Sequence, residues 1–146
     1  MKTKIQKKEE VSAWMHNLHR TRSGVAMVTL FGGDRWSCVT EVVTVENEDG
    51  EIIGIATIAA KGEQMSGQPT LIGLYVLPPF RSSGAGFALL EAAVDQMLAT
   101  GLTPIRLDIL NSKIFKMINR LPAEKQEQLK IIDQSMGGLI DAVMET

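Results

Sequence analysis

Leu74-Tyr75-Val76-Leu77-Pro78-Pro79-Phe80-Arg81-Ser82-Ser83-Gly84-Ala85-Gly86-Phe87-Ala88-Leu89-Leu90 is the stretch on which the fold of this chain turns. Its first part continues an apolar run that begins at Thr70. That run is too uniformly apolar for a strand with one face in water, so it reads as a strand over 70–77 buried on both faces. Pro78-Pro79 ends it, because proline brings no N–H to a ladder. A small-residue loop follows over 81–86, and then a helix over 87–99. Leu89, Leu90, Ala93, Val94, Met97 and Leu98 recur there at helical spacing, leaving Glu91 and Asp95 to solvent. Gly101 closes the helix, and 105–110 reads as another strand. Strand, helix and strand in that order predict a parallel pair joined by a right-handed crossover.

Upstream, Val39, Val42, Val43 and Val45 form one β-rich run, and Ile52, Ile53, Ile55, Thr57 and Ile58 form a second. Asn47-Glu48-Asp49-Gly50 between them has hairpin-turn chemistry, with Asp-Gly expected at the positive-φ positions. Val11, Trp14, Met15 and Leu18 share a helical face, which predicts a helix over 5–20 with its solvated start in 1–8. A short strand over 25–31, a Gly32-Gly33-Asp34 turn and a polar loop over 61–68 complete this half. Downstream, Asn111 is placed to cap a helix over 112–121. Pro122 interrupts, and 123–135 reads as more helix before Gly137-Gly138. The fold class expected is α+β (mixed α/β): one domain over 1–146, with a central mixed sheet flanked by helices.

Composition narrows the function classes. The 146 residues are 45% hydrophobic and 22% charged, with a net charge of −2. This balance gives no electrostatic reason to expect nucleic acid as a partner. No apolar stretch is long enough for a membrane span, and the N-terminal residues lack a signal-peptide pattern, so a cytoplasmic location is expected. The lone Cys38 sits in an apolar run and reads as packed. One Cys and two His assemble no zinc quartet, and His16 and His19, three apart on one helix face, find no third ligand, so no metal is expected.

The loop carries the chemistry. Gly84 and Gly86 leave backbone N–H groups uncovered at the start of a helix, where the macrodipole also favours an anion. Arg81 adds a positive charge beside them. Such a constellation suits a pyrophosphate. The Lys-Ser/Thr ending of a nucleotide-triphosphatase loop is missing, as is a full Gly-x-Gly-x-x-Gly on the first strand of a βαβ unit. Glycine spacing alone leaves a plain strand-to-helix turn equally open.

Leu74-x-Val76-x-Pro78-x-x-Arg81-x-x-Gly84-x-Gly86-x-x-Leu89-Leu90 resembles the central motif of the GCN5-related N-acetyltransferases, in which a strand and a Val-x-Pro lead into Arg/Gln-x-x-Gly-x-Gly/Ala and a helix. The resemblance spans 71–121 and implies an acetyl-CoA-dependent N-acetyltransferase. It implies that backbone N–H groups of Ser82, Ser83, Gly84, Ala85, Gly86 and Phe87 hold the coenzyme A pyrophosphate beside Arg81. It also implies that Leu74 and Val76 pair with the pantetheine arm. Leu107-x-Ile109-x-Asn111, followed by Ile114 and Met117, resembles the family's next strand and Asn-led helix, which makes Asn111 a cofactor contact. The acceptor implied is an amine on a small molecule or a protein.

Two departures matter. The family often has a Tyr seven residues after that Asn, as general acid for the departing thiolate, and here the position is Ile118. The family's closing hairpin is not evident either. Tyr75, the only tyrosine, and Asp108 are therefore the catalytic candidates, with Glu41, Glu46 and Glu63 as further carboxylates considered for the site. The rival reading is a non-catalytic acyl-CoA-binding or protein-interaction module of the same fold. An uncovered strand edge beyond 105–110 would call for the 122–135 helix or a second subunit, hence an expected homodimer.

Overall fold

The computed structural model describes residues 1–21, 35–60, 67–109 and 113–133. Its strands are β1 (Lys2–Lys7), β2 (Glu41–Glu46), β3 (Ile52–Ala59), β4 (Thr70–Val76), β5 (Ile105–Ile109) and β6 (Leu129–Asp133). The helices are α1 (Ser12–Thr21), α2 (Arg35–Cys38), α3 (Ala85–Ala99), α4 (Lys113–Ile118) and α5 (Ala123–Gln126). One six-stranded sheet runs β1-β2-β3-β4-β5-β6. Its first four strands are antiparallel neighbours, whereas β4–β5 and β5–β6 are parallel. This is the mixed sheet expected, and α3 is the crossover between the first parallel pair.

Strand alternation sends side chains to two covered faces. Leu89, Leu90, Ala93, Val94 and Met97 of α3 are completely buried against Val43, Val45, Ala56, Ile58, Leu71 and Val76. Burying a Leu, Val or Met side chain contributes about 1.5–3 kcal/mol, so this helix is fixed by its packing. On the other face Val11, Met15 and Leu18 cover Val42, Ile55, Ala59, Ile72 and Tyr75.

The hairpin is as read, with Val42 opposite Thr57 and Thr44 opposite Ile55. Its turn is simpler than expected. Among its four residues only Gly50 has positive φ, +79°. The Asn47 side chain instead accepts the N–H groups of Asp49 and Glu51, each at 3.0 Å. At the end of α3, Leu102 donates its N–H to the Met97 carbonyl at 2.8 Å, and Gly101 takes φ +75°. This is the glycine-terminated helix end expected.

Two expectations are corrected. Residues 2–7 form a strand, at the sheet edge among the described residues, not the start of a helix. Six residues pair with β2, the Thr44 hydroxyl meets Gln6 at 2.8 Å, and Lys4 pairs with Glu46 at 2.8 Å. Ile5 is 44% exposed and belongs to no helical face. Three lysines on an edge strand also discourage further pairing. Residues 123–135 are not one helix: α5 lasts four residues, and 129–133 lie parallel to β5 in continuous register. Tertiary pairing overrides the helix-forming composition there. It also places β6 over the β5 edge that the sequence left uncovered. The strand expected over 25–31, the 32–34 turn, most of the 61–68 loop, Asn111 and the 137–146 tail lie outside the described residues.

Candidate functional site

β4 and β5 pair only at Thr70 with Arg106 and at Leu71 with Leu107. Both strands continue, β4 to Val76 and β5 to Ile109, and among the described residues they no longer meet. The sheet therefore opens into a cleft at the carboxyl end of β4. Leu77 donates to the Ile53 carbonyl at 2.8 Å, so residues 73, 75 and 77 address β3. By strand alternation the backbone groups of Leu74 and Val76 then face the cleft. An extended ligand carrying amide groups can add itself to that edge as a strand would.

A β-bulge decides which side chains flank the cleft. Thr57 opposes Gly73 while Ile58 opposes Leu71, so Ile72 is an extra residue on β4. Without it, residues 71, 73 and 75 would share a face. With it, Leu71 and Val76 pack with α3, whereas Ile72 and Tyr75 pack with α1.

After β4 the chain makes one tight turn, Pro78–Phe80, and reaches α3 through Arg81–Gly84. Ser82 has φ +69° and Gly84 φ +91°. Alternating left-handed residues turn successive N–H groups inward, as in backbone anion nests. The N-terminus of the 15-residue α3 has no side-chain cap and no acidic residue in its first turn. Its first N–H groups are therefore available to a ligand, and the macrodipole favours an anion there. The Ser83 hydroxyl is taken up by the Phe80 carbonyl at 2.5 Å. Gly86 lies against α4: a Cβ there would stand 3.2 Å from Met117 Sδ. A diphosphate with an amide-bearing arm fits this arrangement, the arm along Leu74–Val76 and the phosphates at residues 82–87.

Arg81 is at the loop, but its side chain turns back. Its Nε donates to the Val76 carbonyl at 3.0 Å, and the guanidinium lies 5.3 Å over the Tyr75 ring. Tyr75 is 3% exposed, and its hydroxyl has no hydrogen-bond partner among the described residues. The Thr57 hydroxyl on β3 is equally buried and unpartnered. Thr57 and Ile55 share a face, and Ile55 opposes Tyr75, so the two hydroxyls belong to the same side of the sheet. Unpaired buried hydroxyls cost about 1–3 kcal/mol each, which makes this face the polar one to explain.

Asp108 is the first β5 residue past the last β4–β5 pair, opposite Ile132 of β6. Ile118 is buried in the α3-side core, so the position of the family's acid is filled by packing. Glu46 is held by Lys4, and Glu41 lies on β2, with β3 between it and β4; Glu63 is outside the described residues. His16 is exposed, and Trp14, Trp36 and Cys38 pack against the α1-side core. Sequence reading missed Thr57, which looks like any β-branched strand residue until the bulge brings Tyr75 to its face. It also missed Arg120, whose guanidinium lies 4.0 Å over the Phe87 ring. Its distance from the loop in sequence gave no signal.

A model of the acetyltransferase (GNAT) family matches residues 12–114, well over half of the chain. No curated protein matches the sequence at a significant level. Among solved structures, a ribosomal-protein-alanine N-acetyltransferase from Brucella melitensis biovar Abortus 2308 aligns with a TM-score of 0.50 at 16% identity, over 87% of each chain. An acetyltransferase from Trypanosoma brucei aligns with a TM-score of 0.52 at 18% identity, over 84% of this chain and 92% of that one. An N-acetylglutamate synthase from Neisseria gonorrhoeae, solved with coenzyme A and N-acetyl-glutamate, gives 0.58 at 16% identity, over 87% of this chain but 32% of that one. At these identities the structures speak for the fold.

Proposed function

Because the chain belongs to the acetyltransferase (GNAT) family and is an acetyl-CoA-dependent N-acetyltransferase, we propose that it holds acetyl-CoA in the β4–β5 cleft and acetylates an amine brought to the face covered by α1. One observation carries the reading. The strand edge at Leu74 and Val76 runs, through two left-handed residues, into the uncapped N-terminus of α3. Backbone groups of Leu74 and the N–H of Val76 take the pantetheine amides, and the N–H groups of Ser82, Ser83, Gly84, Ala85, Gly86 and Phe87 take the diphosphate. Arg81 serves the same site by tying the loop to the Val76 carbonyl. Asn111 is a further contact by its family position.

Bound acetyl-CoA supplies the activated acyl group. The protein must orient the thioester, accept the amine's proton and let the thiolate leave. We assign Asp108 to the proton-accepting side because its strand position is at the mouth of the cleft. Tyr75 is assigned to donation because its buried hydroxyl is otherwise unused. A thiol with a pKa of about 8.5 is also a tolerable leaving group without an acid, so water suffices if Tyr75 does not serve. The acceptor is an amine of a small molecule or a protein, and a cytoplasmic setting supplies the acyl donor.

A homodimer is part of the proposal. β6 covers β5 and is the outer strand among the described residues, with Ile131 39% exposed. Light scattering is expected to give twice the chain mass, and a monomer at every concentration removes the dimer. Calorimetry with coenzyme A, followed by thiol release over an amine panel, tests the central reading. No coenzyme A binding sinks it; binding without turnover on any amine favours the non-catalytic module.

A further inference from the structure

Arg81, the cation that the motif puts beside the phosphates, is already engaged with the Val76 carbonyl and the Tyr75 ring. A second guanidinium stands on the other flank of the same helix start. Arg120 lies two residues beyond α4 and stacks 4.0 Å over the ring of Phe87, in the first turn of α3. It is exposed, and among the described residues its side chain has neither a hydrogen-bond acceptor nor an ion-pair partner. Met117 of α4 fills the space over Gly86, so α4 is packed against this turn. No carboxylate in the first turn of α3 neutralises the charge. A guanidinium held by its face keeps its edge donors free, and that edge matches two phosphate oxygens. The stack also orders a long side chain in advance, so less freedom is lost when a ligand arrives.

We propose that Arg120, standing on Phe87, is the side chain that takes a phosphate of coenzyme A, while Arg81 is a positioning residue for the loop. The proposal rests on the coenzyme A reading of the cleft. The ligand offers the same oxygen pair at its diphosphate and at its 3′-phosphate, and the comparison with 3′-dephospho-coenzyme A tells the two apart. Arg120 is exposed, so Arg120→Gln is expected to melt where the parent does. Calorimetry with coenzyme A is expected to show a loss of roughly ten- to a hundredfold for Arg120→Gln. Arg120→Lys keeps the charge without the fork and is expected between the two, and Arg81→Gln is expected to lose less than Arg120→Gln. Raising salt is expected to weaken the parent more steeply than Arg120→Gln, because the contact is ionic. A loss that vanishes with 3′-dephospho-coenzyme A assigns Arg120 to the 3′-phosphate, and a loss that persists assigns it to the diphosphate. The proposal is overturned if Arg120→Gln binds coenzyme A as the parent does, if both share one salt dependence, or if Arg81→Gln loses more. A parent that binds no coenzyme A overturns the cleft reading itself, and this inference with it.

Discussion

Gly84 and Gly101 bracket α3, both with positive φ, +91° and +75°. Only the first stands at the loop proposed to hold the phosphates, so the pair makes a controlled experiment. A Cβ at Gly101 would meet nothing within 4 Å, and one at Gly84 would meet only Met1 Cε at 3.5 Å. Replacement by Ala therefore creates no clash, and the cost at each site is the left-handed backbone alone, about 1–2 kcal/mol. For 146 residues, an unfolding entropy of about 2.1 cal/mol/K per residue gives about 0.3 kcal/mol/K, hence a fall of about 3–7 °C in Tm for either variant. Coenzyme A should separate them. At residue 84 the new methyl stands in the open space through which a phosphate approaches, or the backbone relaxes and re-aims the N–H groups of α3. Losing one charge-assisted hydrogen bond, about 1.5–3 kcal/mol, weakens binding roughly ten- to a hundredfold. Gly101→Ala should bind as the parent does. Scanning calorimetry and titration calorimetry on the three proteins provide both readouts. Equal coenzyme A affinities in Gly84→Ala and Gly101→Ala would refute the assignment of this loop to the phosphates.

Gly54→Ala would place a Cβ 2.9 Å from Leu89 Cδ1, 3.0 Å from the Tyr75 carbonyl oxygen and 3.1 Å from Val45 Cγ1. Because one neighbour is backbone, urea unfolding should show a loss of about 1–3 kcal/mol, and parent-like stability would contradict the tight α3–β3 approach. Tyr75→Phe removes a buried hydroxyl that has no partner among the described residues, so it should keep or raise stability; if that hydroxyl donates a proton, kcat falls roughly a hundredfold. Ile118→Tyr should lose stability without gaining rate, since Ile118 is core; a faster enzyme would show the position is open to the site. Lys125 meets Asp95 at 2.5 Å, and this hydrogen bond raises its pKa above the ordinary 10.5. A raised lysine pKa gives stability that is complete below 10.5 and fades as pH rises through the higher folded value. Lys125→Met should therefore match the parent's pH dependence from 5 to 8 and differ only in alkali, as pH-dependent melting would reveal.

Much of this molecule follows from local chemistry. The doubly covered β4, the Pro78-Pro79 stop, the α3 stripe from Leu89 to Met97 and the glycine end at Gly101 are all near-neighbour effects. Periodicity and punctuation report such effects directly. The motif from Leu74 to Leu90 was legible for the same reason, since its glycines, arginine and helix start are consecutive. Partners distant in sequence decided the rest. Residues 2–7 and 129–133 are strands because β2 and β5 offer them register, not because their own composition asks for it. One extra residue, Ile72, turns Tyr75 toward Thr57 and α1, and an odd–even pattern in sequence does not disclose where a bulge falls. Arg81 and Arg120 differ likewise. The sequence put Arg81 beside the proposed phosphate site by adjacency, but its side chain folds back onto Val76, five residues earlier, while packing of α4 on α3 brought Arg120 onto Phe87. Local structure is encoded within a few residues, but the direction of a side chain at a site depends on how separate elements settle against one another.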